Sequence, residues 1–599
     1  MVTKTRAPYT ITPTKVIVDY GAMYCDSPEQ LIQSQLFAEI VERFLVKLAG
    51  KGSPLFTYTH AAMPGLKMKE MAGKLVSLFK LLASHTADEI IGLGGEYGGL
   101  LANRERIHEF TAELYNFWRG HERVIYQISP SRAHYARSSL HHAQFITANE
   151  KFRNLVLSVR RKIGENLTGK NPAVYRQLPA GANMGVLVEK IDWDCPYDLS
   201  HLKEVPFILL SLIEPPLTLY SKSNTRKGKY VEIPRLTEDL TALSPAEWFC
   251  FPAKVGELTA FLYFHQDFIT LGLAMSNLFE IAEYGEIEGK KPDLIMLFGV
   301  QHGTLPADAV FLEDKESGIH IGLVRHCDAV DYFGYFKKTA LTLHNVAMLK
   351  RGRLPVHGAM VSVKLKEGGS ANVVLVGDSG AGKSETLEAL RSLAEDHICE
   401  MTIIFDDMGS LGMKEGRVAG YGTETGAFVR LDDLSPEYAY KELDRAIFMN
   451  PHLVNSRLVI PITPYPHIVL GYPVDIILYA NNYDSVDDDR PAIELYADVE
   501  EALAVFRKGA RMAKGTTDEK GLVRTYFANP FGAPQRKEAH EKIAREYFTA
   551  MFATGVKVGQ MRTRLGIEGF EREGPRAASM ALFELIRSMA AGRQAEHCG

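Results

Sequence analysis

Cysteine is scarce in this 599-residue chain: six residues, Cys25, Cys195, Cys250, Cys327, Cys399 and Cys598, with no two at CxxC spacing. That spacing excludes a zinc ribbon or a dithiol motif, and scattered single cysteines fit a reducing cytosol. Charge of one sign is also lacking. Lys and Arg total 68 against 73 Asp and Glu, a net charge of −5. No polyanion-binding surface is implied, so nucleic acid is not expected as a partner. Long apolar runs are missing too. The longest, VPFILLSLI (205–213), is too short to span a bilayer. The first residues, MVTKTRAPYTITPTK, lack the apolar core of a signal peptide. Neither an internal repeat nor a low-complexity tract occurs. A soluble cytoplasmic protein, with no membrane partner, is the expectation.

What is present reads as globular: 46% hydrophobic and 24% charged residues. The length exceeds what one hydrophobic core usually serves, so two or three domains are expected. Residues 1–192 read as mainly helical, because LIQSQLFAEIVERFLVKLAG and KEMAGKLVSLFKLLASH repeat apolar residues every three or four positions. Their role is not evident, beyond offering a surface for a protein partner. From Trp193 to about 345, proline-punctuated apolar runs such as PDLIMLFGV and GIHIGLVRH read as strands. From 346 to 599, strand-like runs alternate with helical ones, an α/β pattern. The adjacent His141 and His142 point to different faces of a helix, so SRAHYARSSLHHAQF reads as a solvated face rather than a metal site.

The strongest local signal is GDSGAGKSE (377–385). The strand NVVLV (372–376) leads into it and a helical run leaves it, the context a phosphate-binding loop requires. The loop supplies Gly377, Asp378, Ser379, Gly380, Ala381, Gly382, Lys383, Ser384 and Glu385. Its glycines let backbone N–H groups face phosphate oxygens, and the helix N-terminus adds its positive end. Lys383 reaches the β- and γ-phosphates, and the Ser384 hydroxyl ligates Mg²⁺. The next strand, MTIIFDD (401–407), ends in Asp406 and Asp407. In a parallel sheet it lies near the loop strand, with its carboxylates at the same edge, fit for a divalent metal. Upstream, RLPVHGAMV places His357 at a strand start, and VDYFGYFKK places Tyr332, Lys337 and Lys338 before a helix.

In this order the segments resemble phosphoenolpyruvate carboxykinase, the nucleotide-dependent enzyme. FGYFKKTAL, GRLPVHGAMV, GDSGAGKSETL and FDDMGSL stand where that family runs like GExKKGxF, GxLPMHCSAN, GLSGTGKTTL and GDDEH. TETGAFVRLDDLSPE, VNSRLVIPI and KGTTDEKGLVRTYFANPFGAP extend the resemblance, which covers about 317–533. The loop spelling and the His-Gly before it are closer to HPr kinase/phosphorylase, a protein-serine kinase with a related nucleotide-binding core. The resemblance implies an α/β fold: a carboxykinase-like P-loop nucleotide-binding domain, a mixed α/β N-terminal domain and an added helical region. It implies ATP or GTP with Mg²⁺ and Mn²⁺ as cofactors, and a small-molecule acid as substrate. Carried over residue by residue, Lys338, His357 and Asp407 match ligands of Mn²⁺, and Asp406 the carboxylate holding the second metal's water shell. Arg457 matches an arginine that stabilises the transferring phosphoryl group, Tyr332 an aromatic beside the substrate, and Glu424 a glutamate near the nucleotide phosphates. Arg226 in SNTRKGKYVEI stands nearest the substrate arginine, at altered spacing, and Arg564 falls among arginines near the adenine. Met408 and Gly409 depart from the family's Glu and His. The expected activity is phosphoryl transfer of the carboxykinase type, oxaloacetate and a nucleoside triphosphate giving phosphoenolpyruvate, CO₂ and the diphosphate. The alternatives are a kinase of a protein serine or small-molecule hydroxyl, and a nucleotide sensor without catalysis.

Overall fold

The computed structural model describes residues 6–129, 139–176, 178–225, 230–237, 240, 242–393, 396–431, 444–513 and 520–598. They form a mixed α/β fold in two compact units: Met1–Lys190 with Ile208–Glu214, and Ile191–Phe207 with Pro215–Gly599. Among the described residues no helix is long and apolar enough to cross a membrane.

The first unit packs helices against a sheet. Ser34 caps the helix Gln35–Gly50 by accepting from the Phe37 N–H, and its apolar stripe, Leu36, Ile40, Val41, Phe44, Leu45 and Leu48, is buried. The helices Met68–Leu82 and Arg104–Arg119 add Leu75, Leu78, Phe79 and Phe110 to the same core. The helical periodicity of the sequence is therefore present, but the described residues of the unit also hold five strands. Lys15–Asp19 pairs in parallel with Glu122–Ile128, which pairs in parallel with Met184–Glu189. These strands are short and lie between long helices, so the helical period dominates the sequence signal.

Apart from Ile208–Glu214, the second unit holds both of the regions expected at 193–345 and 346–599. Among the described residues no linker separates them, because the helix Phe333–Lys350 is buried along nearly its whole length. Its Phe336 stacks on Phe298 of one sheet at 4.3 Å between ring centroids. The next residue, Lys337, is hydrogen-bonded to Asp407 of another. In the first of these sheets, Leu258–His265, Leu294–Val300 and His320–Arg325 run parallel as neighbours.

The other large sheet has the order Tyr472–Pro473, Arg417–Gly422, Ile398–Lys414, Leu354–Leu365, Ser370–Val376, Ile476–Asn481, Lys557–Arg562, Ile493–Leu495. Both its faces are covered. Along Leu354–Leu365 the even-numbered Leu354, Val356 and Met360 join a core with Tyr547, Phe548 and Met551 of the helix Lys537–Ala553. The odd-numbered Ala359, Val361, Val363 and Leu365 join one with Leu387, Leu390, Leu582 and Ile586. The two-residue period of a strand sends successive side chains to opposite layers.

This order corrects one expectation. Ile398–Lys414 lies near the loop strand Ser370–Val376, but not in a parallel run of strands. Leu354–Leu365 lies between them, antiparallel to both. Nor does the aspartate strand end at Asp407; it runs on to Lys414, pairing with Arg417–Gly422. Since two antiparallel steps restore direction, the loop strand and the aspartate strand still point the same way. Gly358 pairs with both Val376 and Asp407, which sets the loop, His357 and the aspartates at one level.

Candidate functional site

The loop follows Val376 and opens into the helix Lys383–Leu393. Gly382 has φ +93°, and a Cβ there would lie 2.6 Å from the Thr563 Oγ1. Glycine is needed on both counts. From behind, the Thr563 hydroxyl donates to the Ala381 carbonyl at 2.8 Å and the Asn482 amide donates to the Gly380 carbonyl at 2.9 Å. The first-turn amides of the helix have no intrahelical acceptor, as at any helix N-terminus. Gly377 begins the turn, and Lys383 is buried, its ammonium donating to the Asp378 carbonyl at 3.1 Å. Ser384 is exposed, its hydroxyl 3.3 Å from Asp406 Oδ1, and Glu385 follows in the first helical turn. The Ser379 N–H donates to Asp378 Oδ1 at 2.7 Å, and Arg511 Nε donates to Oδ2 at 2.9 Å. Burial would raise the Asp378 carboxyl, but His357 and Arg511 override it and hold it below its usual range.

Lys338, His357 and Asp407 come from three elements and meet at one carboxylate. His357 Nε2 is 2.9 Å from Asp407 Oδ1, and the Lys338 ammonium is bonded to Asp407 Oδ2. Lys337 reaches the same Oδ2 at 2.7 Å and Glu424 Oε1 at 2.6 Å. Tyr332 is the N-cap residue of Phe333–Lys350 and both lysines lie within that helix, not before it. Vicinal lysines on a helix ordinarily share a solvated face; here Lys337 is fully buried, made tolerable by its two carboxylates.

The two lysines differ electrostatically. Burial pushes the Lys338 amine down to about 8, with Asp407 opposing and Lys337 assisting. For Lys337, burial is overridden by Asp407 and Glu424, and it stays a cation. Burial pushes the Glu424 carboxyl up to about 7 against the pull of Lys337. At Asp407 burial acts upward, but Lys337 and Lys338 hold it well below the carboxylate range. Asp406 is raised by burial, with Lys383 opposing. Asp407 also has φ +110°, a strained conformation for a residue with a side chain, of order 1–3 kcal/mol.

Arg457 begins Arg457–Pro461 in a four-stranded sheet, its guanidinium 5.4 Å from the centroid of Phe428. Lys337 lies 5.7 Å from the same ring and the Tyr332 ring 6.0 Å from it. Phe428 thus gathers Arg457, Tyr332 and Lys337. Glu424 meets Lys337 rather than the loop. Arg564 follows Thr563, the loop's hydroxyl partner, and lies over Phe570 at 4.4 Å. Arg226 lies outside the described residues.

The residues fit the metals the resemblance implies. His357 Nδ1–H donates to the Ala528 carbonyl at 2.6 Å, so in the neutral ring Nε2 carries the lone pair. That lone pair faces a carboxylate oxygen at 2.9 Å. Two acceptors so placed require a shared proton or a cation. Lys338, lowered to about 8, supplies a second neutral nitrogen at little cost. Ser384 and Asp406 offer the oxygen donors that Mg²⁺ takes.

Sequence reasoning misses several contributors. Phe531 lies under the Lys338 ammonium at 4.7 Å and edge-on to His357 at 5.7 Å. Its segment, ANPFGAP, is visible in the sequence, but only the fold brings it to Lys338 and His357. The sequence shows Lys337 as a neighbour of Lys338, not as the bridge between Asp407 and Glu424. Arg511 carries no local signal. No family model matches this chain, and no curated protein matches it at a significant level.

Proposed function

We propose that this protein transfers a phosphoryl group from a nucleoside triphosphate, in a metal-dependent reaction of the phosphoenolpyruvate carboxykinase type. The observation that carries the reading is the meeting of Lys338, His357 and Asp407 beside a phosphate loop whose Ser384 touches Asp406. Lysine is an uncommon metal ligand, and a buried one lowered to about 8 has few structural reasons to exist.

In this reading the loop amides and Lys383 bind the β- and γ-phosphates. Ser384 and Asp406 hold Mg²⁺, and Lys338, His357 and Asp407 hold Mn²⁺. The ions, when bound, neutralise charge on the transferring group and its acceptor. Arg457, oriented by Phe428 and by a 3.1 Å hydrogen bond from its Nε to the Asn455 side-chain Oδ1, adds positive charge on the acceptor side. Tyr332 is buried and stays a neutral phenol, because burial raises it. Positioning and fixed charge supply most of the rate in phosphoryl transfer, and no covalent protein nucleophile is called for. The acceptor is the enolate left when oxaloacetate, or a related acid, loses CO₂.

One observation favours a second reading, a kinase of a protein serine or small-molecule hydroxyl. Asp406 is raised by burial and touches a hydroxyl already, which suits a base toward an alcohol.

Phosphorus NMR on the purified protein with Mn²⁺ and Mg²⁺ tests both. ATP, GTP and pyrophosphate are offered in turn, with and without oxaloacetate, and Lys383→Ala is the blank. A phosphoenolpyruvate signal in the wild type alone supports the carboxykinase reading. Nucleotide consumption without it supports the kinase, and no turnover with any donor leaves a nucleotide sensor. Lys383→Ala and Asp407→Ala are each expected to abolish turnover; full activity in either sinks the site assignment.

A further inference from the structure

Three parallel strands, Leu258–His265, Leu294–Val300 and His320–Arg325, end at one edge of the first sheet of the second unit. Ligand sites in α/β sheets gather at carboxyl edges of this kind. His265 is the last residue of the first strand, and His326 directly follows the third. The middle strand passes between them with Gly299 at φ +107°, where a Cβ would lie 2.9 Å from His265 Cβ. Glycine there lets the two imidazoles approach, and their ring centroids are 5.1 Å apart. Asp267, in the 3₁₀ turn Gln266–Phe268, completes the group.

The spacing is that of a coordination shell. Asp267 Oδ2 lies 2.9 Å from His326 Nε2 and 3.3 Å from His265 Nδ1. The three ligand atoms fall within 4.8 Å of one another. A tetrahedral ion with bonds of about 2.0–2.1 Å sets its ligand atoms roughly 3.3 Å apart. The Asp267 N–H also approaches His265 Nδ1, at 3.3 Å, and the Gln301 side-chain Nε2 lies 3.4 Å from His265 Nε2.

We propose that His265, Asp267 and His326 form a metal site, separate from the phosphoryl-transfer site, for a Zn²⁺-like divalent ion. Two imidazoles and one carboxylate suit Zn²⁺ and its transition-metal neighbours rather than Mg²⁺ or Ca²⁺, which take oxygen shells. The His265 side chain is 4% exposed, whereas His326 is 28% and Asp267 42% exposed, so the fourth position opens to solvent for water or a ligand. The site shares no residue with the loop or with Lys338, His357 and Asp407.

The test is calorimetric titration of the chelator-stripped full chain with Zn²⁺ alone, with Co²⁺ absorption reporting coordination. An Asp407→Asn background removes the candidate Mn²⁺ site. One equivalent should bind in that background, and should be lost in both His326→Ala and Asp267→Asn, with far-ultraviolet circular dichroism unchanged. Both positions touch solvent, so these variants are expected to fold. A Zn²⁺ equivalent that persists in both ligand variants, or none in the Asp407→Asn protein, overturns the proposal.

Discussion

Lys337 and Lys338 are adjacent, the first fully buried and the second largely so, and yet they differ electrostatically. The reason is the count of carboxylates each meets. Lys337 touches two, Asp407 and Glu424, whereas Lys338 touches Asp407 alone. The same balance of buried charge explains Arg511. In the proposed reading an acidic residue inside the phosphate-binding loop would repel its ligand, and Arg511 offsets Asp378 at 2.9 Å. Breaking a buried pair from one side costs about 3–5 kcal/mol, while removing both charges costs far less. Arg511→Met is therefore expected to weaken nucleotide binding by about tenfold or more. Asp378→Asn in addition should restore most of the loss, as read by fluorescent-nucleotide titration. A double variant no better than Arg511→Met removes the argument.

At the scale of elements, the loop is a tight turn braced by Thr563 and Asn482. Two of its glycines are at positive φ in different surroundings. Gly380, at φ +78°, has nothing within 4 Å of where a methyl group would stand, whereas at Gly382 a methyl would collide with the Thr563 hydroxyl and methyl. Gly380→Ala should cost only the left-handed backbone term, about 1–2 kcal/mol. Gly382→Ala adds the collision and the loss of the Thr563 bond to Ala381. Melting without nucleotide should rank the wild type above Gly380→Ala, and Gly380→Ala above Gly382→Ala; equal melting temperatures would contradict the packing account. The intervening antiparallel strand, which the sequence reading does not place, has a signal of its own. Between VHGAMVSVKL and NVVLV stand Glu367, Gly368 and Gly369, with both glycines at positive φ. A glycine pair between two apolar runs marks a hairpin. That hairpin sets the His357 strand beside the loop strand.

For the whole molecule, acid stability follows from two histidines that the fold keeps neutral. Burial pushes His344 and His540 each down to about 4. Between the ordinary value of 6.5 and about 4, the unfolded chain binds protons that the folded chain refuses. Stability is thus unaffected by these groups above that window and falls as pH drops through it, by roughly 3 kcal/mol per histidine. Calorimetric melting at stepped pH should show the decline, and His540→Gln should make its slope shallower. An unchanged slope would mean that His540 takes up its proton without unfolding.

The sequence by itself determined what is local. Loop, strand and helix around 377–393 follow from glycine placement and apolar period, and the alternation of buried residues in Leu354–Leu365 follows from the two-residue repeat of a strand. The α/β character of the chain was legible for the same reason. Tertiary structure alone decided what depends on contacts far apart in sequence. Lys338 and Asp407 are 69 residues apart, and Asp378 and Arg511 are 133 apart. The adjacent His141 and His142 are a pair that sequence can examine for a metal. His265 and His326 escape such a reading, since the sheet edge that joins them lies between strands separated by a third. Charge state is decided at the same level. A lysine's environment is set by how many carboxylates the fold brings to it and how much water it removes, and neither quantity is written in the residues beside it.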